Sequence, residues 1–155
     1  MNIEELVQKN LIDGTTLNLE NKKIGDEGAR KLAAMEMLAN IIALELGENE
    51  IGDEGLAALC QSVFLTRLKV LNLKSNNITA AGARALAESK NLPHLDQLIL
   101  KFNRIGEEGA RFLADSENLT RLTTLDLFRN RIGPEGARAI KTSKHLTHVS
   151  RVRLD

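Results

Sequence analysis

Residues Leu68 to Ala87 read LKVLNLKSNNITAAGARALA, and this stretch can be laid along the rest of the 155-residue chain at one fixed offset without a gap. Ile24, Ile51, Ile78, Ile105 and Ile132 stand 27 residues apart, and so do Gly28, Gly55, Gly82, Gly109 and Gly136. At such a period each unit buries its apolar side against its neighbours, because one unit alone is too thin to enclose a core. The expected architecture is an α/β solenoid forming a single domain. It has a cap helix in residues 1–14, five repeats over 15–148 and a partial sixth, strand only, over 149–155.

Two periodicities alternate within the unit. Leu17 and Leu19, Leu44 and Leu46, Leu71 and Leu73, Leu98 and Leu100, and Leu125 and Leu127 are spaced by two. On a strand that spacing turns both leucines to one face and the residues between them to the other. Three residues before the first leucine stands Ile41, Leu68, Leu95 or Leu122, with Val149 opening the last copy, so the unit reads LxxLxL. Three residues after the second comes Asn49, Asn76, Asn103 or Asn130. An amide there donates and accepts at once, so a stack of them can serve backbone groups that packing hides from water. The first copy has Lys22 in that register with Asn21 beside it, and a looser turn is expected there.

A helix start follows. The column Gly25, Gly52, Thr79, Gly106 and Gly133 suits an N-cap, and Asp26, Asp53, Glu107 and Pro134 come next, where the helix dipole and proline geometry favour them. Helical spacing then puts Ala29, Leu32 and Ala33, with their counterparts, on one buried side. The Gly28 column falls in the first helical turn, where glycine is costly, and this predicts close approach to a neighbouring backbone. Ahead of the repeats, Ile3 to Leu11 reads as an amphipathic helix broken at Asp13-Gly14.

Composition narrows the function. Lys and Arg total 21 against 21 acids, so no overall basic field exists to condense on phosphate backbones, and nucleic acid is not an expected partner. No apolar run reaches the roughly 18 residues that cross a bilayer, and the opening MNIEELVQKN places acids where a secretory signal carries positive charge. A soluble protein without a membrane partner is expected. The single Cys60 cannot form an internal disulfide, which fits a reducing, cytoplasmic setting.

Catalysis finds little support. Cys60 shares a column with Ala33, Ala87 and Ala114 on the buried helix side, the place of a small core residue rather than a nucleophile. His94 and His148 share a column with Arg67 and Arg121, and His145 shares one with Asn91 and Asn118, with no metal-ligand spacing among them. The Gly-Asp-Glu-Gly segments lack the ligand ladder of an EF-hand and the Lys-Ser/Thr of a P-loop. We expect no enzyme, cofactor or metal.

The pattern LxxLxLxxNxIGxEGAxxLA resembles that of leucine-rich repeat proteins of the ribonuclease-inhibitor-like type. The GARKLA, GARALA and GARFLA stretches are also similar to repeats of bacterial GALA-type effectors. The resemblance implies a horseshoe with parallel strands on its concave face and helices outside. It also implies binding of another protein on that face, in some members by covering an enzyme's active site. The effector likeness implies delivery into a host cytosol. A fold of this kind carries many partners, so the partner itself stays open.

With the leucines pointing inward, the residues between them make the expected partner-binding face: Glu45, Glu48, Lys69, Val70, Asn72, Lys74, Asp96, Ile99, Lys101, Phe102, Asp126, Phe128, Arg129, Arg151 and Arg153. Strands about 4.8 Å apart make these columns continuous. Two of only four Phe residues lie here beside Lys and Arg, types enriched at interface hot spots. The plainer alternative is that Phe102 and Phe128 fold over the sheet edge and shield the apolar layer. Acids gather early, at Glu20, Glu45 and Glu48, and bases late, at Lys101, Arg129, Arg151 and Arg153. A competing reading places an adaptor surface on the convex helices, where Arg30, Arg84, Arg111 and Arg138 recur in one column.

Overall fold

The computed structural model describes residues 2–154; Met1 and Asp155, the ends of the expected domain, lie outside the described residues. Each repeat contributes one short strand and one helix. The strands are β2 (Thr16–Asn18), β3 (Ala43–Glu45), β4 (Val70–Asn72), β5 (Gln97–Ile99), β6 (Thr124–Asp126) and β7 (Arg151–Arg153). The helices are α2 (Gly25–Ala33), α3 (Asp53–Gln61), α4 (Ala80–Glu88), α5 (Gly106–Ala114) and α6 (Gly133–Lys141). Leu17 pairs with Leu44, Leu44 with Leu71, Leu71 with Leu98, Leu98 with Leu125, and Leu125 with Val152, all parallel. The offset of 27 read from the sequence is therefore the register of the sheet. Strand leucines, Ile51, Ile78, Ile105 and Ile132, and helix residues such as Leu32, Leu59, Leu86 and Leu113 are fully or almost fully buried and join in one continuous core, with Ile24 of the first repeat partly buried against it.

The cap differs from its expected form. The helix α1 spans Ile3–Asn10 with its first turn capped by Asn2, whose side-chain oxygen accepts from the Glu5 amide at 2.8 Å. Leu11 and Ile12 leave it as a two-residue strand, β1, antiparallel to β2. Asp13 and Gly14, at φ 52° and 73°, form the tight turn between them. The Asp-Gly pair read as a helix break is thus a hairpin turn, because both central positions of such a turn need positive φ. The result pairs one edge of β2.

The asparagine stack forms as expected. Asn76 Nδ2 donates to the carbonyls of Leu46 and Leu73, each at 3.0 Å, and its Oδ1 accepts from the amides of Asn49 and Ile51 at 3.1 and 2.9 Å. The first turn lacks its own amide but is held from its neighbour, since the Lys22 and Ile24 amides both donate to Asn49 Oδ1. A second ladder went unread in the sequence. Ser62, Ser89, Ser116 and Ser143, also 27 apart, donate to the carbonyls of Ala33, Cys60, Ala87 and Ala114, so each hydroxyl serves the helix C-terminus of the repeat before.

At the helix starts the N-cap expectation holds at Gly52 and Thr79 and fails at the other three, where Ile24, Ile105 and Ile132 precede a glycine at φ 61°, 70° and 68°. The cause lies one repeat back. Asp26 Oδ1 accepts from the amides of Gly52 and Gly55 at 2.7 and 3.0 Å, and Asp53 accepts from Thr79 and Gly82 amides and the Thr79 hydroxyl. These carboxylates satisfy the next helix rather than only their own dipole. Where the preceding repeat offers Ala80, the Gly106 amide turns to the Asn130 carbonyl at 2.9 Å, as Gly25 does to Asn49. The choice propagates. With Gly52 and Thr79 extended, the carbonyls of Ile51 and Ile78 face outward and accept from Asn77 and Arg104 at 2.8 Å. Glu50 and Arg131, which follow left-handed glycines one repeat back, take φ of 59° and 56° instead.

The Gly28 column has the crowding expected of it, from two sources. A Cβ at Gly55 would stand 2.9 Å from the Asp26 Cα of the preceding helix, whereas one at Gly28 would stand 2.6 Å from Ile24 Cβ in its own repeat. Neighbouring backbone and the repeat's own isoleucine both exclude a side chain.

Candidate functional site

The face opposite the buried leucines is made of three columns on the strands and two on the turns after them. Val70 and Arg151 lie on the first column, with Val70 half-buried and Arg151 exposed. On the next, Glu45, Asn72 and Ile99 are half-buried, Asp126 is buried at 6% exposure and Arg153 is exposed. Lys69 and Asp96 enter the strands; Lys69 is exposed, and Asp96 accepts from the Thr123 hydroxyl across the repeat boundary.

Asp126 is a correction to the expected solvent-facing set. Its Oδ1 accepts from the Phe128 amide at 3.0 Å, and its Oδ2 lies 3.4 Å from Arg153 Nη1. A short acid two residues before an open turn amide bonds it directly, and the arginine of the next strand covers the remainder. Asn72 does the same for the Lys74 amide at 3.0 Å.

The turn columns separate the two ends of the face. Lys74 reaches back across Gly47 to Glu20, Nζ to Oε1 2.5 Å, with Glu48 at 4.0 Å. A Cβ on Gly47 would come within 2.8 Å of the Lys74 Cγ, so the missing side chain makes room for this crossing. The hydrogen bond to Glu20, reinforced by the charges of Glu20, Glu48 and Glu45, holds the Lys74 ammonium above its ordinary value. Glu20 is therefore paired within the molecule, while Glu48 lies at the limit of the same lysine's reach and Glu45 has no ion-pair partner among the described residues.

At the other end, Lys101 and Phe128 occupy the column of Lys74, and Phe102 and Arg129 that of Glu48. Phe102 and Phe128 meet edge to face, centroids 5.9 Å apart. The guanidiniums of Arg129 and Arg153 lie 5.4 and 4.7 Å from the Phe128 centroid. Phe128 is half-buried by these contacts, while Phe102 remains 47% exposed. The two rings neither fold over the leucine layer completely nor stand free: Phe128 is the floor and Phe102 the exposed edge. Arg104 and Arg131, not singled out in the sequence, join Phe102, Asn103, Phe128 and Arg129 around an open hollow of about 640 Å³. They sit between the conserved-offset Asn and Ile, where Lys23, Glu50 and Asn77 stand in earlier copies. Reading that column for charge would have found them.

Glu48, Phe102 and Arg129 share a left-handed backbone, φ 57°, 59° and 59°, with Asn21 and Ser75. Each such amide from Asn21 to Phe102 donates to a carbonyl of the next repeat. The conformation belongs to the turn itself; the side chains placed on it vary freely.

Elsewhere the chemistry is quiet. Cys60 is buried, and desolvation pushes its thiol up to about 12, so the thiolate needed for nucleophilic attack is suppressed. His94 Nδ1 accepts from Arg121 at 3.0 Å, which leaves it a surface link between repeats. No cluster of three or more His, Cys, Asp or Glu suited to a metal occurs among the described residues, and no helix among them is long and apolar enough to cross a membrane.

The leucine-rich repeat family profile matches residues 15–33, 38–60, 65–87, 91–114 and 118–141. The chain belongs to the leucine-rich repeat family. No curated protein sequence matches it. Among solved structures it is similar to the leiomodin-1 actin-binding site 2, with a TM-score of 0.65 at 22% identity over 90% of this chain and 83% of that one. It is also similar to the tropomodulin C-terminal domain of Caenorhabditis elegans, with a TM-score of 0.59 at 19% identity over 92% and 91%. At such identities the likeness speaks for the shared fold. The leucine-rich repeats of this chain make it a protein-interaction module.

Proposed function

We propose that this chain is a non-enzymatic binding module that docks another protein on its concave strand face and the adjoining turn edge. The observation that carries the reading is the Phe102–Phe128 pair, partly exposed on turns held by the bond of the Phe102 amide to the Phe128 carbonyl and of the Phe128 amide to Asp126. A partner meeting a preformed aromatic anchor loses little conformational freedom on that side of the interface, and the columns extend over several strands toward the about 800 Å² per partner that a stable interface needs. Covering the active site of an enzyme is one form such docking takes, and a host cytosol is the setting suggested by the GALA-like helices. Actin, bound by the leiomodin site, forms no part of this reading.

The convex alternative draws less support. Arg30, Arg84, Arg111 and Arg138 each hold a glutamate, at 2.6, 2.8, 2.6 and 3.4 Å, so that column is already neutralised. Replacing Phe102, Phe128 and Arg129 together with Ala is expected to abolish capture of the partner with an unchanged circular dichroism spectrum. Capture that survives this change but is lost on reversing the four helix arginines would move the docking surface to the convex side.

A further inference from the structure

The arginines of this molecule divide by what faces them. Those on α2, α4, α5 and α6 have carboxylates, and Arg153 has Asp126. Arg104, Arg129 and Arg131 are exposed and have no carboxylate partner among the described residues, yet all three line the same hollow as the two Phe rings. Like charges gathered around an apolar floor raise the local potential and are relieved by anions. A guanidinium fork matches a carboxylate with two parallel hydrogen bonds.

We propose that this hollow takes an acidic peptide segment of the partner, one apolar side chain seated against Phe102 and Phe128 and flanking carboxylates held by Arg104, Arg129 and Arg131. The inference rests on the reading of this face as a docking surface and adds the chemistry of what docks. A nucleic acid strand would also answer to Arg and Phe, but a phosphate backbone following the face would run toward Glu45 and Glu48. The Lys74 that could offset them is already held by Glu20. A short segment confined to the hollow avoids that repulsion.

The test is to pan a phage-displayed library of random peptides against the intact chain, then measure the selected peptides by fluorescence anisotropy, with a single-stranded oligonucleotide as a second probe. Selected sequences are expected to be enriched in Asp and Glu around an aromatic or Leu residue. The combined Arg104→Glu, Arg129→Glu and Arg131→Glu variant, with an unchanged circular dichroism spectrum, is expected to lose about tenfold or more in affinity for them. No enrichment, enrichment of neutral or basic sequences, equal binding by the variant, or tighter binding of the oligonucleotide would each overturn the proposal. The two readings separate cleanly. Partner capture that depends on Phe102 and Phe128 but not on these arginines leaves the docking face standing and removes the acidic ligand.

Discussion

Repeats two and three and repeats four and five share one backbone plan but use their polar groups in opposite directions. In the earlier pair, the helix starts at Gly52 and Thr79 are met by Asp26 and Asp53, each from the repeat before, and Lys74 binds back over Gly47 to Glu20 of the first repeat. In the later pair, Ala80 and Glu107 of the preceding repeats offer the helix starts no such clamp, Gly106 and Gly133 adopt left-handed backbone, and Arg104, Arg129 and Arg131 face outward without carboxylates. One half consumes its charges in holding itself together. The other leaves them for something else, and Phe102 and Phe128 lie among them. A solenoid tolerates this division because each repeat touches only its neighbours, so stability and display can be assigned to different copies.

The largest expected effect tests the clamps. Asp53→Ala leaves two amides and the Thr79 hydroxyl without their acceptor, and Thr79 cannot take the left-handed escape cheaply; a loss of about 2 kcal/mol is expected in urea denaturation. Asp26→Ala is expected to cost about 1 kcal/mol less, because Gly52 can turn its amide to the Asn76 carbonyl as Gly25 and Gly106 turn theirs to Asn49 and Asn130. Equal losses would break the account of the two turn forms.

A smaller effect tests the Lys74–Glu20 pair at the early end of the face. Lys74→Met is expected to cost about 0.5 kcal/mol near neutral pH, as a mostly surface ion pair should. The folded state raises the Lys74 value above the ordinary 10.5, so this contribution is fully present below 10.5 and fades as pH climbs through the higher folded value. Denaturation of wild type and variant should therefore differ by a constant amount up to about pH 10 and converge in stronger base. A gap that instead closes on mild acidification would point to another origin for it.

The smallest expected effect concerns the displayed end. Phe102 is about half exposed on a left-handed turn that Asn accepts more readily. Phe102→Asn is expected to leave stability within about 0.5 kcal/mol of wild type, or to raise it slightly, while weakening partner binding. A loss of 2 kcal/mol or more would mean that the ring is a structural cover and not an anchor.

Much of this was legible in one dimension. The leucine spacing and asparagine column announced the core and the polar ladder, because their side chains do the same job in every copy and so recur at a constant offset. The serine ladder is equally periodic, but a serine at the end of a helix is common on any surface, and only the carbonyl one repeat back gives it a structural role. Asp13-Gly14 can stop a helix or turn a hairpin, and the pairing of β1 with β2 decides for the hairpin. Alternation alone puts Asp126 on the open face and cannot register that Arg153 lies across it.

By itself, then, the sequence determined the repeat, the register of 27, the buried leucines and the absence of an overall charge bias, all of which follow from periodic pattern and composition. Only the tertiary structure decided which glycine amides turn forward and which are met by an aspartate one repeat back, and which arginines keep a carboxylate and which do not. The aspartate caps and the Arg30–Glu54 and Arg153–Asp126 pairs depend on distances of a few ångströms between groups roughly a whole repeat apart in the chain, where hydrogen bonds and charge pairs either form or fail.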